Sequence, residues 1–137
     1  METCLFCKII NKEIPAHIIY EDKDSLAFLD IKPHSNGHTV VIPKKHAVTP
    51  FDLDEKSFKE LLLDVKRVME KLRDVLYPDG FNVGWNQNTA AGQVVAHLHI
   101  HIFPRYNGDG GGSMHSIINN PGKMSVDDVA KLFKLKK

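Results

Sequence analysis

Hydrophobic positions run in short alternating stretches through the first third of the chain. They take a three-to-four spacing in the middle and return to alternation near the end of the second third. Leu5–Ile10 reads as a short helical turn that runs into Asn11-Lys12-Glu13-Ile14-Pro15. Ile18–Glu21 and Ser25–Asp30 read as the strands of a hairpin around Glu21-Asp22-Lys23-Asp24. After a loop at Pro33–Gly37, His38–Ile42 is β-branched and apolar enough for a central strand, stopped by Pro43. Phe58, Leu61, Leu62, Val65, Val68, Met69, Leu72 and Leu76 mark one face of a long helix, with Asp52 or Asp54 as its cap and Pro78-Asp79-Gly80 as its stop. Phe81–Asn86 is the next strand, Asn88–Gln93 a polar loop, and a further strand is expected at about 96–103. Residues 107–123 form a long loop able to move over a site, most flexible at Gly110-Gly111-Gly112. Ser125 can cap a short helix whose Val126, Val129, Leu132 and Phe133 would dock on the body. A long helix between sheet-forming runs predicts an α+β fold, an antiparallel sheet with its helices beside it.

Length and charge narrow the partners. The 137 residues, 42% of them hydrophobic, suit one domain over 1–137, with a core at about 4–107 and a loop and short helix at 108–137. Eighteen Lys and Arg stand against 17 Asp and Glu, so charge gives no argument for a nucleic-acid polymer or a membrane as partner. Lys44-Lys45 and Lys134, Lys136 and Lys137 read as solvated surface. No charged-then-apolar leader and no membrane-length apolar run is present, which makes the cytoplasm the expected setting. The two cysteines, Cys4 and Cys7, have a spacing that admits metal binding, a redox pair or one small disulfide.

The chemistry concentrates in Ala96-His97-Leu98-His99-Ile100-His101-Ile102-Phe103-Pro104-Arg105. On a strand, three alternate imidazoles share one face while Leu98, Ile100 and Ile102 bury on the other. The row reads as a polar strand face, as a metal site, or as a nucleophile that attacks phosphorus through a neutral ring nitrogen. The surroundings favour phosphorus. Gly92 lets backbone approach a ligand, Gln93 and Asn86 can donate amide hydrogens, and backbone N–H groups near Val94 and Val95 add to them. A catalytic metal on all three rings is disfavoured, since the outer two are too far apart along a strand to converge on one ion.

The run Gly92–Arg105 closely resembles the active-site signature of the histidine-triad nucleotide hydrolases and transferases. The likeness continues upstream through Phe6–Ile10, Glu13–Ala16, Leu26–Ile31 and Gly37–His46, and covers roughly residues 4–107. It implies an α+β homodimer whose sheets join across the subunits, with the long helix near the interface. It also implies cleavage of nucleoside phosphoramidates, dinucleoside polyphosphates or related adenylated compounds, with a purine nucleotide as substrate. His99 would be the nucleophile, attacking the α-phosphorus to form a nucleotidyl-histidine from which water releases the nucleoside monophosphate. His101 would hydrogen-bond a phosphoryl oxygen, and His38 would stand beside the nucleophile. Asp30 would accept the ribose hydroxyls, with Ile31 flanking the base. A histidine at position 101, where a glutamine often marks transferases, points to hydrolysis; a nucleotidyl transferase or a nucleotide-binding adaptor is the alternative.

Cys4 and Cys7 have a spacing common in zinc sites but are only two ligands; His46 and His97 can supply the other two if the N-terminus folds against the triad strand. That set resembles the structural zinc of some bacterial members and of the galactose-phosphate nucleotidyl transferases. His17, His34 and His115 read as unremarkable, Trp85 as core or dimer contact, and Arg105 as a strand-end residue without a catalytic role.

Overall fold

A computed structural model describes residues 3–135. Lys136 and Lys137, expected at a solvated end, lie outside the described residues. The elements are α1 (Leu5–Ile10), β1 (Ile18–Glu21), β2 (Ser25–Leu29), β3 (Thr39–Pro43), α2 (Glu55–Leu76), β4 (Gly80–Gly84), β5 (Ile100–Arg105) and α3 (Val126–Leu135). The strands form one antiparallel sheet in the order β1-β2-β3-β5-β4. The fold is α+β, as the alternation of periods predicts.

Period-two alternation assigns the two faces of the sheet. Ala27, Val41, Leu98, Ile100 and Ile102 point to one side, where Leu61, Val65, Val68 and Leu72 of α2 close over them. Leu26, Phe28, Val40 and Ile42 point to the other, against Phe6 and Ile9 of α1. The β2–β3 register pairs Leu26 with Ile42 and Phe28 with Val40, which keeps both faces continuous.

The caps divide the work between the two aspartates. Asp54 caps α2 by accepting from the Ser57 amide at 2.7 Å. Asp52 instead closes a capping box on a 3-10 turn at Pro50–Asp52. The end of α2 is packed against the loop before β3: Gly37 has φ +87°, and a Cβ there would collide with Leu76 and press on Pro104.

The histidine strand departs from expectation. β5 begins at Ile100, so His97 and His99 precede the ladder. The cause is Pro43, which opposes this segment at the end of β3 rather than lying beyond it. Proline has no N–H to donate, and its carbonyl is taken by the His97 ring at 2.9 Å. The Leu98 amide turns instead to the Ala47 carbonyl. β4 likewise stops at Gly84, whose partner is His101, so Trp85 and Asn86 lie past the strand.

The C-terminal segment also differs. Ser125 caps α3 through the Asp128 amide, but Val126, Val129, Leu132 and Phe133 are exposed and α3 does not dock on the body. The loop before it is pinned rather than free at its first turn. The Arg105 guanidinium grips both oxygens of Asp109 at 2.8 Å and also donates to Asn82 and the Gly112 carbonyl. Among the described residues, no helix is long and apolar enough to cross a membrane.

Leu61 is 1% exposed and Leu132 48% exposed. Urea denaturation should therefore show Leu61→Ala losing about 2–5 kcal/mol and Leu132→Ala changing stability by less than about 0.5 kcal/mol. Equal losses would mean that α3 is packed in solution.

Candidate active site and metal centre

The three triad rings stay on the α1 side of the sheet, as alternation requires, even though only His101 lies in β5. They are not displayed to solvent as a strand face would be: His97 is fully buried and His99 is 8% exposed. Phe6 stands edge-on to both, with ring centroids 5.9 Å from His97 and 5.0 Å from His99. This contact is invisible to spacing arguments, although Phe6 lies between the two cysteines in sequence.

Hydrogen-bond partners fix where each ring carries its proton. His99 Nδ1 lies 2.8 Å from the His97 carbonyl oxygen, which can only accept. The proton therefore sits on Nδ1, and the neutral ring keeps a lone pair on Nε2. His38 Nδ1 accepts from the His34 backbone N–H at 3.2 Å, which puts the His38 proton on Nε2. That Nε2–H donates to His101 Nδ1 at 3.0 Å, leaving His101 with an Nε2–H of its own. His99 and His101 meet at 5.0 Å and 73° between rings. One is thus an acceptor at Nε2 and the other a donor at Nε2, side by side.

Burial keeps the relay neutral. It pushes His101 down to about 4, helped by the neighbouring His99 and His38, and lowers His38 against the opposing pull of Asp30. Asp30 Oδ2 is 3.7 Å from His38 Nε2, and its Oδ1 accepts from the Lys32 amide. Ile31 beside it is 82% exposed. His34 belongs to this site after all: its amide sets the His38 tautomer, and its ring stacks on Phe103 within 6° of parallel. Only the turn that brings residue 34 back to residue 38 reveals it.

The polar loop is arranged differently from expectation. Gln93 is buried, with its amide hydrogens donated to the Val48 and Val95 carbonyls and its oxygen accepting from the Asn88 amide. In this conformation its carboxamide is committed to fastening the loop. Asn86 lies beside Gly92, whose φ of +94° suits a glycine, and Val94 is exposed. Trp85 packs edge-on against Phe58 and is partly exposed. His17 and His115 are exposed.

A second cluster sits where α1 meets the segment before β5. Cys4 Sγ lies 3.4 Å from His97 Nδ1, and Cys7 Sγ lies 3.6 Å from the same atom and 3.3 Å from His46 Nδ1. The four ligand atoms are all within 4.8 Å of one another. Tetrahedral zinc, with bonds of about 2.3 Å to sulfur and about 2.0 Å to nitrogen, sets sulfur–nitrogen separations of about 3.6 Å. The cluster fits. The Pro43 carbonyl holds the His97 proton on Nε2, so Nδ1 offers its lone pair to an ion. Burial and the neighbouring Cys4 raise the Cys7 thiol to about 11, so binding an ion must displace thiol protons.

Asp30, His38 and His101 also bring ligand atoms within 4.8 Å. There the outer partner is of the wrong kind. A ligating His38 Nε2 would need its proton on Nδ1, where the His34 N–H already points. One cluster is wired for a cation and the other for a proton.

The HIT domain family model matches residues 11–108. A HIT-like protein of Methanocaldococcus jannaschii is 43% identical over 131 residues, covering 96% of this chain and 98% of its own. An adenosine 5'-monophosphoramidase of Schizosaccharomyces pombe is 42% identical over 105 residues, 77% of this chain and 76% of that one. The crystal structure of a zinc-bound histidine triad family protein from Mycobacterium smegmatis superposes with a TM-score of 0.75 at 40% identity, covering 80% of this chain and 79% of that one. Family model, relatives and fold converge, and the chain belongs to the HIT domain family of histidine-triad proteins.

Proposed function

We propose that this protein hydrolyses nucleoside phosphoramidates, dinucleoside polyphosphates or related adenylated compounds at the α-phosphorus, with His99 as nucleophile. The observation that carries the reading is the 2.8 Å bond from His99 Nδ1–H to the His97 carbonyl, which fixes the ring and, in its neutral form, puts the lone pair on Nε2. Nε2 attacks the α-phosphorus, the bond to the leaving group breaks, and the departing group takes a proton. Water then attacks the nucleotidyl-histidine, returns Nε2 to its starting state and releases the nucleoside monophosphate.

The neighbours supply the remaining functions in this reading. His101 donates its Nε2–H to a phosphoryl oxygen, where negative charge grows in the transition state. His38 keeps that donor oriented and Asp30 receives the ribose hydroxyls, while Ile31 borders the base. Asn86 and the Val94 amide bind the phosphate in this reading, and Gln93 acts by fastening the loop that carries them. The similarity to an adenosine 5'-monophosphoramidase supports an adenylated phosphoramidate as substrate. Cys4, Cys7, His46 and His97 hold a structural zinc ion, which when bound would tie α1 to the sheet and steady His97. We further infer a homodimer acting in the cytoplasm, where thiols persist as metal ligands.

The reading predicts that His99→Ala loses nucleoside-monophosphate release from adenosine phosphoramidate and diadenosine polyphosphate by at least about 10³-fold, the scale of removing a nucleophile. Denaturing the wild type in alkali during turnover should trap a nucleotidyl adduct on His99, because the phosphorus–nitrogen bond survives base and is cut by acid. Folded protein that binds nucleotide yet turns over neither substrate would leave an adaptor.

Zinc content gives a separate check. Cys7→Ser should reduce bound zinc well below the wild-type stoichiometry by elemental analysis and lower the melting temperature. Wild type purified with zinc available but holding none would remove the metal assignment.

Stability should depend on pH in a defined direction. His101 falls from 6.5 to about 4 on folding, so the unfolded chain binds more protons between those values. Its contribution to stability is complete above about pH 6.5 and is lost as pH falls toward 4. Urea midpoints should drop between pH 7.5 and 5, less steeply in His101→Gln; equal slopes would refute the assignment.

A further inference from the structure

Cys4 and Cys7 have a geometry that does more than hold an ion. Cys4 is the N-cap of α1, and its sulfur accepts from the Cys7 amide at 3.3 Å. The two thiols thus sit within one helical turn, with sulfurs inside the 4.8 Å span of the cluster, in the C-x-x-C spacing of thiol–disulfide pairs. Both are half-buried, and each borders a separate cavity. Cys7 lines one of 680 Å³ with Lys8 and Lys44, and Cys4 lines one of 360 Å³ with Val94, Val95 and Ala96. His97 between them is fully buried. A small solute therefore has a route to the sulfurs and none to the ring.

We propose that Cys4 and Cys7 are a peroxide-sensitive modification site whose oxidation to a disulfide expels the metal ion and disables the triad. The proposal rests on the zinc reading above. In the chemistry, one thiolate attacks hydrogen peroxide to give a sulfenic acid and hydroxide. The second thiolate displaces hydroxide from that sulfur, forming the S–S bond. Two thiolates are oxidised by two electrons, peroxide is reduced to two waters after uptake of two protons, and the ion leaves with only His46 and His97 as ligands.

What changes is the reach of the link. The metal joins Cys4 to His97, 93 residues away, whereas the disulfide joins residues three apart at the start of α1. Oxidation thus converts a tie between α1 and the sheet into one confined to the start of the helix. His97 loses the partners of its Nδ1, and its carbonyl is what orients His99. The Cys4 cavity is walled by Val94–Ala96, the segment leading into the triad, so the change is delivered directly to the loop.

The test uses the full chain loaded with zinc, its content measured first by elemental analysis. Graded hydrogen peroxide is followed by a zinc-binding dye, thiol alkylation, peptide mass spectrometry and nucleoside-monophosphate release. The expected result is one zinc released per chain as two thiols disappear, with an intrachain Cys4–Cys7 disulfide. Activity should fall about 10- to 100-fold, the effect of losing an outer partner at a metal site, and dithiothreitol with zinc should restore it. His46→Ala, which weakens the metal but keeps both thiols, should form the same intrachain disulfide, whereas Cys7→Ser should form none. Zinc retained with both thiols alkylatable, or oxidation ending in sulfinic acid or intermolecular disulfides, overturns the proposal. A wild-type chain that holds no zinc before oxidation instead overturns the metal reading itself.

Discussion

The hydrogen bond from the His97 ring to the Pro43 carbonyl is the constraint on which the rest of the site depends. It forms because proline ends the ladder on one strand and histidine meets it on the other. A buried carbonyl without a partner costs about 1–3 kcal/mol, and here a side chain takes the place of the missing backbone amide. Three consequences follow from the one contact. β5 starts late, His97 presents Nδ1 toward the cysteines, and the His97 carbonyl is left free to hold His99.

Nearly the whole element order was legible in the sequence because burial periods differ between strand and helix. The long helix could be read from Leu61, Val65, Val68 and Leu72, and the sheet from Leu26–Phe28 and Val40–Ile42. The start of β5 was not, since alternation continues through His97 and His99 while the ladder does not; hydrophobic pattern reports faces, and hydrogen bonding defines strands. α3 misled for a related reason. An amphipathic pattern states that a face seeks cover without saying where the cover is, and the described residues of this chain do not provide it.

The site divided along similar lines. Residue types and spacing pointed to His99, His101 and the set Cys4, Cys7, His46 and His97, because few other patterns put so many ligating groups so close. Protonation could not be read that way. It is set by backbone groups such as the His34 amide and the His97 carbonyl, which any residue type would supply and which only the folded chain places. Gln93 illustrates the reverse case, a polar side chain next to the chemistry whose hydrogens go to Val48 and Val95.

The late start of β5 has a bearing on how long the site persists once formed. Residues 94–99 connect to the body through the Leu98 amide, the Gln93 carboxamide and the His97 ring, outside the regular ladder. Segments joined this way open locally at a free energy below that of global unfolding. Thermal melting would then report the sheet and α2, while amide exchange across 94–99 would report the fraction of time the nucleophile is in place. Durability of the fold and readiness of the site are separate quantities in this chain, and a change that spares one can empty the other.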